Sequence, residues 1–221
     1  MFAGIAKRYD LLNHVLSLNI DKRWRRKVSA SLRDILDRPD ARVLDVACGT
    51  GDLSIELNGG AKAQIIGIDF CRPMLTIAGS KGGPSVPFVE GDAMELPFAD
   101  GEFDAVTIAF GLRNLANTAD GLNELHRVLK PNGRAVVLEF SAPIVPGFGQ
   151  LFNFYFSYIL PRIGGAISGS RGAYEYLPDS VSKFPNQRDL AAMMEQIGFE
   201  NVSYSNLTGG IAALHCGTKK S

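Results

Sequence analysis

Arg42-Val-Leu-Asp-Val-Ala-Cys-Gly-Thr-Gly-Asp-Leu53 opens on an apolar run, stops at two glycines and continues into a polar helix start. The pattern predicts strand, tight turn, helix. Gly49 and Gly51 carry no Cβ, so the backbone there can take φ > 0 and approach a ligand closely. A G-x-G alone is a weak signal, and its surroundings decide between two kinds of ligand. A dinucleotide site calls for a third small residue at G-x-G-x-x-G spacing and lays a pyrophosphate over the helix N-terminus. Here that third position is Ser54, and Asp45, four residues before Gly49, would meet a pyrophosphate with like charge. Opposite charges about 4 Å apart are worth about 4 kcal/mol at an effective dielectric near 20, and the sign reverses for an anion. The loop suits a cationic ligand.

S-adenosyl-L-methionine, with its sulfonium and ammonium, fits that requirement. A second acid supports it. Ala63-Gln-Ile-Ile-Gly-Ile-Asp69 reads as a buried strand ending in a carboxylate about 20 residues past the glycines, where a ribose diol is held. A third strand end, Phe88-Val-Glu-Gly-Asp92-Ala93, offers Asp92 to an adenine amino group. Each acid alone would also serve as an ordinary strand-end or capping residue. Three in register mark a cofactor rim.

The 221 residues, 46% of them hydrophobic, suffice for one domain with a full core. Lys+Arg and Asp+Glu both number 23, so no global field attracts nucleic acid and any basic function is local. Cys48, Cys71 and Cys216 are far apart, odd in number and without C-x-x-C spacing, which argues against a disulfide framework and a zinc site. No metal is expected, and a reducing cytosol is the default compartment. Residues 1–15 lack the form of a signal peptide, and no segment reaches the ~18 apolar residues of a membrane span. The expectation is a cytoplasmic protein, soluble or peripheral on the inner face of the cell membrane.

Before the glycine loop, Phe2, Ile5, Ala6, Tyr9, Leu12, Val15 and Leu16 form an amphipathic helical stripe. Asp21 is placed to cap a helix through Lys22-Arg-Trp-Arg-Arg-Lys27 and on to Leu36, completing a helical lid over residues 1–38. The basic cluster reads as a solvated helix face with Trp24 packed beneath, as a membrane-surface patch with an interfacial Trp, or as an RNA-binding patch. From Arg42 onward strands near 42–48, 63–69, 86–91, 103–110 and 133–140 alternate with helices near 51–58, 73–80 and 120–130, the signature of a doubly wound α/β sheet. The fourth strand, with Ala109 at its end among the expected cofactor contacts, leads into Gly111-Leu-Arg113-Asn114 at the rim where the acids fall. His126 is assigned to helix packing. Alternation lapses in an aromatic-rich insertion, 141–187, with Phe148, Phe152, Phe154, Tyr155, Phe156, Tyr158 and Ile159. It reads as a lid over an apolar substrate or as the contact of a homodimer. A helix near Gln187–Ile197 stops at Gly198, and strands Asn201–Leu207 and Ile211–Thr218 form an antiparallel hairpin at the sheet edge. The whole is a single domain, 1–221, with a seven-stranded, mostly parallel sheet.

Phe2…Tyr9-Asp10…Asn13, Trp24-Arg25, Asp45-Val-Ala-Cys-Gly-Thr-Gly-Asp52, Phe110-Gly-Leu-Arg-Asn114, Leu138-Glu-Phe-Ser141-Ala-Pro143, Leu160-Pro-Arg-Ile163 and Tyr176-Leu177…Phe184-Pro185 together resemble the C-methyltransferases of menaquinone and ubiquinone biosynthesis, which have the class I methyltransferase fold. The resemblance covers nearly the whole chain, and the Phe-Gly-Leu-Arg-Asn run is far more specific than the glycine loop. One departure is Asn19, where the family usually has glycine. The resemblance implies methyl transfer from S-adenosyl-L-methionine to a ring carbon of demethylmenaquinol, or of the polyprenylated hydroquinone precursor of ubiquinone. It places cofactor contacts on Thr50, Asp69, Asp92 and Ala93.

An aromatic carbon is a poor nucleophile until its ring hydroxyl loses a proton, so such a site must stabilise a phenolate. Arg113 is expected to hold that charge, with Asn114 donating a hydrogen bond and Tyr9 closing over the ring. Arginine stays protonated in proteins, so a water polarised by these three residues is the expected base, with His14 and Asp10 as alternatives. The competing reading of Tyr9, Arg113 and Asn114 is a buried network tying lid to sheet. Two other functions compete with this one. A nucleic-acid methyltransferase lacks its Asn-Pro-Pro-aromatic signature here, and neutral charge disfavours it. A non-catalytic S-adenosyl-L-methionine-binding scaffold would not need Tyr9, Arg113 and Asn114 together.

Overall fold

The computed structural model describes residues 19–145 and 179–221. The amphipathic stripe of residues 2–16, with Tyr9, Asp10 and His14, lies outside the described residues. So do the aromatics of 148–159 and the motifs at 160–163 and 176–177.

Seven strands form one sheet: β1 (Arg42–Val46), β2 (Gln64–Asp69), β3 (Phe88–Glu90), β4 (Phe103–Ala109), β5 (Leu129–Phe140), β6 (Phe199–Leu207) and β7 (Ala212–Lys219), in the order β3-β2-β1-β4-β5-β7-β6. The first five pair parallel, while β7 runs antiparallel to both β5 and β6. The order turns back on itself between β1 and β4, the switch point at which ligands bind in open α/β sheets. Helices α1 (Ile20–Ser31), α2 (Arg33–Leu36), α3 (Asp52–Asn58), α4 (Arg72–Gly82), α5 (Thr118–Val128) and α6 (Gln187–Ile197) cover it.

The central strands are buried on both faces, which is why they read as unbroken apolar runs rather than alternating ones. On one face Val43, Ile65, Ala105 and Val136 pack under Trp24 and Val28 of α1 and Leu53 and Leu57 of α3. Their neighbours Leu44, Ile66, Val106 and Val137 point the other way, against Leu122 and Leu125 of α5 and Leu190 and Met194 of α6. Two of the long helices, α5 and α6, are capped as their sequences dictate. The side chains of Asn117 and Asn186 each accept two backbone N–H groups at the starts of α5 and α6, and Gly198 ends α6 at φ 112°.

Several boundaries differ from expectation. Asp21 does not cap α1: the helix begins at Ile20, and Asn19 precedes it at φ 60°, ψ 13°. This left-handed geometry explains why glycine suits the position and why asparagine can replace it. Asp21 sits in the first turn, bound to Arg25 at 2.8 Å. The helix expected to run to Leu36 breaks at Leu32, giving α1 and the single turn α2. The fifth strand starts at Leu129 rather than near 133, passing through Asn132 at φ 62°. The C-terminal hairpin is antiparallel and at the sheet edge as expected, with β7 inserted between β5 and the outermost strand β6.

No helix among the described residues is long and apolar enough to cross a membrane.

Candidate cofactor and substrate site

A cavity opens at the carboxyl ends of β1 to β4. Val46, Ala47 and Gly49 line it from the glycine loop, Asp69 to Cys71 and Met74 from the end of β2 and α4, Gly91 to Ala93 from the end of β3, and Ala109 to Gly111 with Asn114 and Leu115 from the end of β4. The loop after β1 coils because Ala47, Gly49 and Gly51 all have positive φ, at 52°, 56° and 80°. At Gly51 a Cβ would fall 2.8 Å from the Phe88 ring. That close approach accounts for glycine there as much as the dihedral does.

Asp69 ties the cavity floor together. One of its oxygens accepts the N–H of Gly49 at 2.8 Å, and the other accepts the N–H of Cys71 at 2.8 Å, at the start of α4. A carboxylate has about four lone-pair sites, so acceptor capacity remains for a diol. Burial pushes the Asp69 carboxyl above its ordinary range, against the pull of the Cys71, Gly49 and Phe70 N–H groups. Asp92 is exposed at the rim, with one oxygen accepting the N–H of Met94 at 2.9 Å. The apolar walls are Phe70, which is 65% exposed, and Met74. This set of groups fits an adenosine-type cofactor: two carboxylates to accept from hydroxyl and amino groups, and flat apolar surface for a base.

Asp45 is not at the cavity surface. It is 1% exposed and lies one layer below the loop, where it accepts the Ser54 hydroxyl at 2.6 Å and the Thr107 hydroxyl at 2.8 Å. The expectation that it faces the ligand is corrected: it supports the turn from beneath. Ser54, at the third position of the glycine spacing, is the buried donor that Asp45 requires. Thr50 is buried behind the loop, accepting from Lys81 at 3.4 Å, and neither it nor Gly51 lines the cavity.

Desolvation pushes the Asp45 carboxyl up to about 6, opposed by the two hydroxyls and reinforced by the nearby Asp69 charge. Its pKa in the folded protein thus exceeds the ordinary value of 3.8. Its contribution to stability is full below about pH 4 and is lost as pH rises through about 6, an effect on the order of 3 kcal/mol. Asp45→Asn removes this dependence. The melting temperature of the variant, relative to the parent, should rise steadily between pH 4 and 7 in scanning calorimetry. A difference independent of pH would mean that Asp45 titrates normally.

Of the three residues expected to converge on substrate, Asn114 lines the cavity, with its amide donating to the Phe110 carbonyl at 3.1 Å. Arg113 does not line it. Its side chain is 5% exposed and lies beneath the rim, where Nη1 donates to Glu139 Oε1 and to the Phe110 carbonyl, both at 2.7 Å. The guanidinium lies 5.1 Å from the centre of the Phe140 ring. Tyr9 lies outside the described residues.

Trp24 is 5% exposed, not interfacial. It packs 5.8 Å from the Phe110 ring and 6.3 Å from Phe140, and its Nε1 donates to Thr208 at 3.0 Å. His126 packs edge-on against Phe199 at 4.9 Å, the helix-packing role expected of it. Sequence reasoning missed Phe70, Met74 and Phe110 as walls, and Glu139 as the partner of Arg113. Phe70 was open to detection, because a large apolar residue directly after a strand-end acid has no sheet face to occupy. Among the described residues no cluster of side chains suits a metal ion.

Known proteins are similar to this chain over nearly all of it. A family model described as the ubiE/COQ5 methyltransferase family matches residues 1–219. A demethylmenaquinone methyltransferase of Deinococcus radiodurans is 51% identical over 224 residues, spanning 100% of this chain and 91% of that protein. One of Thermus thermophilus is 51% identical over 223 residues, spanning 99% and 100%. The ubiquinone/menaquinone biosynthesis C-methyltransferase UbiE of Citrifermentans bemidjiense is 47% identical, spanning 99% and 94%. Among solved structures, a SAM-dependent methyltransferase from Aquifex aeolicus has a TM-score of 0.62 at 20% identity, covering 88% of each chain. The methyltransferase solved in complex with the Haloferax volcanii Trm112 methyltransferase activator has a TM-score of 0.70 at 16% identity, covering 100% of this chain and 98% of that one. At such identities the structural likeness speaks to the fold alone.

Proposed function

The chain belongs to the ubiE/COQ5 methyltransferase family, and from that premise we propose that it transfers a methyl group from S-adenosyl-L-methionine to a ring carbon of demethylmenaquinol, giving menaquinol. The observation that carries the reading is the rim where Asp69, Asp92 and Asn114 face one cavity, in a chain that matches demethylmenaquinone methyltransferases over its whole length. A second reading, methylation of the polyprenylated precursor of ubiquinone, is favoured by the relatives whose name covers both quinones.

When bound, the cofactor supplies an electrophilic methyl group on a sulfonium. Asp69 accepts the ribose hydroxyls and Asp92 the adenine amino group, while Gly49, Ala93 and Ala109 offer backbone and small side chains to the rest of the cofactor. Asp45, Thr50 and Gly51 shape the loop from behind. Asn114 donates to the ring oxygen of the quinol as it gains negative charge, and Arg113, paired with Glu139, holds from beneath the Phe110 carbonyl that Asn114 also binds. Tyr9 completes this group in the proposal. Turnover of labelled S-adenosyl-L-methionine with a panel of reduced demethylquinones is the direct test. Product mass identifies the substrate, and no turnover on any quinol overturns the assignment.

The substrate's isoprenoid tail brings the protein to a membrane surface. Lys22, Arg23, Arg26 and Lys27 are exposed on α1, with Lys22 and Arg26 opposite the buried Trp24 and Val28, and none of them pairs with a carboxylate among the described residues. Cations near an anionic surface contribute about 1 kcal/mol each, so Lys22→Gln with Arg26→Gln should weaken binding to anionic vesicles by about 20- to 30-fold. Flotation measures this, and equal recovery of parent and variant would remove α1 from the membrane contact. In the same proposal the insertion 141–187 shelters the tail. Its other use, as a contact between two copies, would appear as a dimer in sedimentation velocity.

A further inference from the structure

Phe110 has φ 56°, a backbone conformation that a bulky aromatic residue rarely adopts, at a position that lines the cavity. Its carbonyl is held by two donors, Nη1 of Arg113 at 2.7 Å and Nδ2 of Asn114 at 3.1 Å. Arg113 is held in turn by Glu139, the penultimate residue of β5. Oε1 of Glu139 accepts from Arg113 Nη1 at 2.7 Å and from the Phe140 N–H at 2.8 Å, while Oε2 accepts from the Arg113 N–H at 3.3 Å. The ring of Phe140 closes the circuit, 4.8 Å from that of Phe110. Glu139 is 1% exposed, and burial raises its carboxyl above the usual range although Arg113 and the backbone N–H groups oppose this.

We propose that Glu139 is a positioning residue for the cofactor rim: by fixing Arg113 it fixes the Phe110 carbonyl, and so keeps Phe110 and Asn114 against the cavity. Buried ion pairs add little net stability over apolar side chains of similar volume. A pair placed directly behind a strained rim residue is therefore better explained by the geometry it enforces. Glu139 touches neither cofactor nor substrate and acts through Arg113. The proposal rests on the cofactor reading above.

The test compares Glu139→Gln with Asp104→Asn in the full-length protein. Asp104 is also a buried acid, accepting from Lys130 at 2.7 Å, Arg38 at 2.8 Å and the Arg42 N–H at 3.0 Å, but it lies at the opposite end of the strands, near the start of β4. Both variants should melt below the parent. Affinity for S-adenosylhomocysteine, measured by calorimetric titration well below each melting temperature, should fall at least tenfold in Glu139→Gln and stay at the parent value in Asp104→Asn. Affinity unchanged in Glu139→Gln overturns the proposal and leaves the pair a plain structural one. If Glu139→Gln does not fold, Glu139→Gln with Arg113→Met, which leaves no unpaired charge, takes its place. The loss of affinity should persist there, and parent-like affinity overturns the proposal. A parent that fails to bind S-adenosylhomocysteine would sink the cofactor reading instead.

Discussion

Arg113→Lys is expected to cut turnover by about 100- to 1000-fold, because releasing the Phe110 carbonyl also releases Asn114, the donor proposed to face the developing oxyanion, and losing one such donor typically has that effect. In the folded protein a single guanidinium nitrogen bridges the Phe110 carbonyl and Glu139, and the plane lies over Phe140. Lysine keeps the charge but has neither the planar fork nor the stacking surface. Cofactor affinity should fall much less than turnover, because the cation still compensates Glu139. Arg113→Met separates the structural part of the role. It leaves a carboxylate buried without its cation, which costs about 3–5 kcal/mol, and at about 2–4 °C per kcal/mol for a chain of this size the melting temperature should drop by roughly 6–20 °C. Near-normal turnover of Arg113→Lys, once folded and saturated with both substrates, would show that the residue serves packing alone.

Asp69→Ala is expected to weaken binding of S-adenosyl-L-methionine by about 150- to 25,000-fold. Two hydrogen bonds from a ribose diol to a carboxylate contribute about 1.5–3 kcal/mol each. The structure adds a second cause, since the same carboxylate holds the N–H groups of Gly49 and Cys71. Asp69→Asn distinguishes the two, because its single carbonyl oxygen can retain one loop contact but not both. Calorimetric titration should therefore rank Ala below Asn and Asn below the parent. An unchanged dissociation constant in Asp69→Ala would remove the end of β2 from the cofactor site.

The sheet could be read from the sequence because burial on both faces leaves contiguous apolar runs, as in Val43-Leu44 and Ile65-Ile66, each ending in a glycine or an acid. Ends set by single backbone conformations were less legible. Asn19 and Asn132 both take positive φ, and nothing in a periodicity argument announces either. Asp69 and Asp92 were found in the cavity because a strand-end acid at the switch point has one side left open. Asp45 was misplaced by the same reasoning: spacing along the chain says that a carboxylate is near the glycines, but not whether a serine nine residues on will turn it inward. Arg113 illustrates the limit from the other side. The run Phe110-Gly-Leu-Arg-Asn114 identified the rim, whereas the partner that decides the direction of the guanidinium, Glu139, lies on the next strand and is joined to it only by the parallel pairing of β4 and β5. Of the three readings open for the basic cluster, the structure shows Trp24 packed beneath it, because a lone indole among charged residues has one apolar side to bury.

The insertion of β7 between β5 and β6 also bears on how the protein is made. One side of β5 pairs with β4, but its other side waits for residues 212–218, which leave the ribosome about 70 residues later. At about 5–20 residues per second that interval lasts on the order of ten seconds. Throughout it the nascent chain carries an unpaired strand edge from the middle of its sheet, with the apolar run Ala135–Leu138 on it, at the stage when ribosome-associated chaperones have access to it.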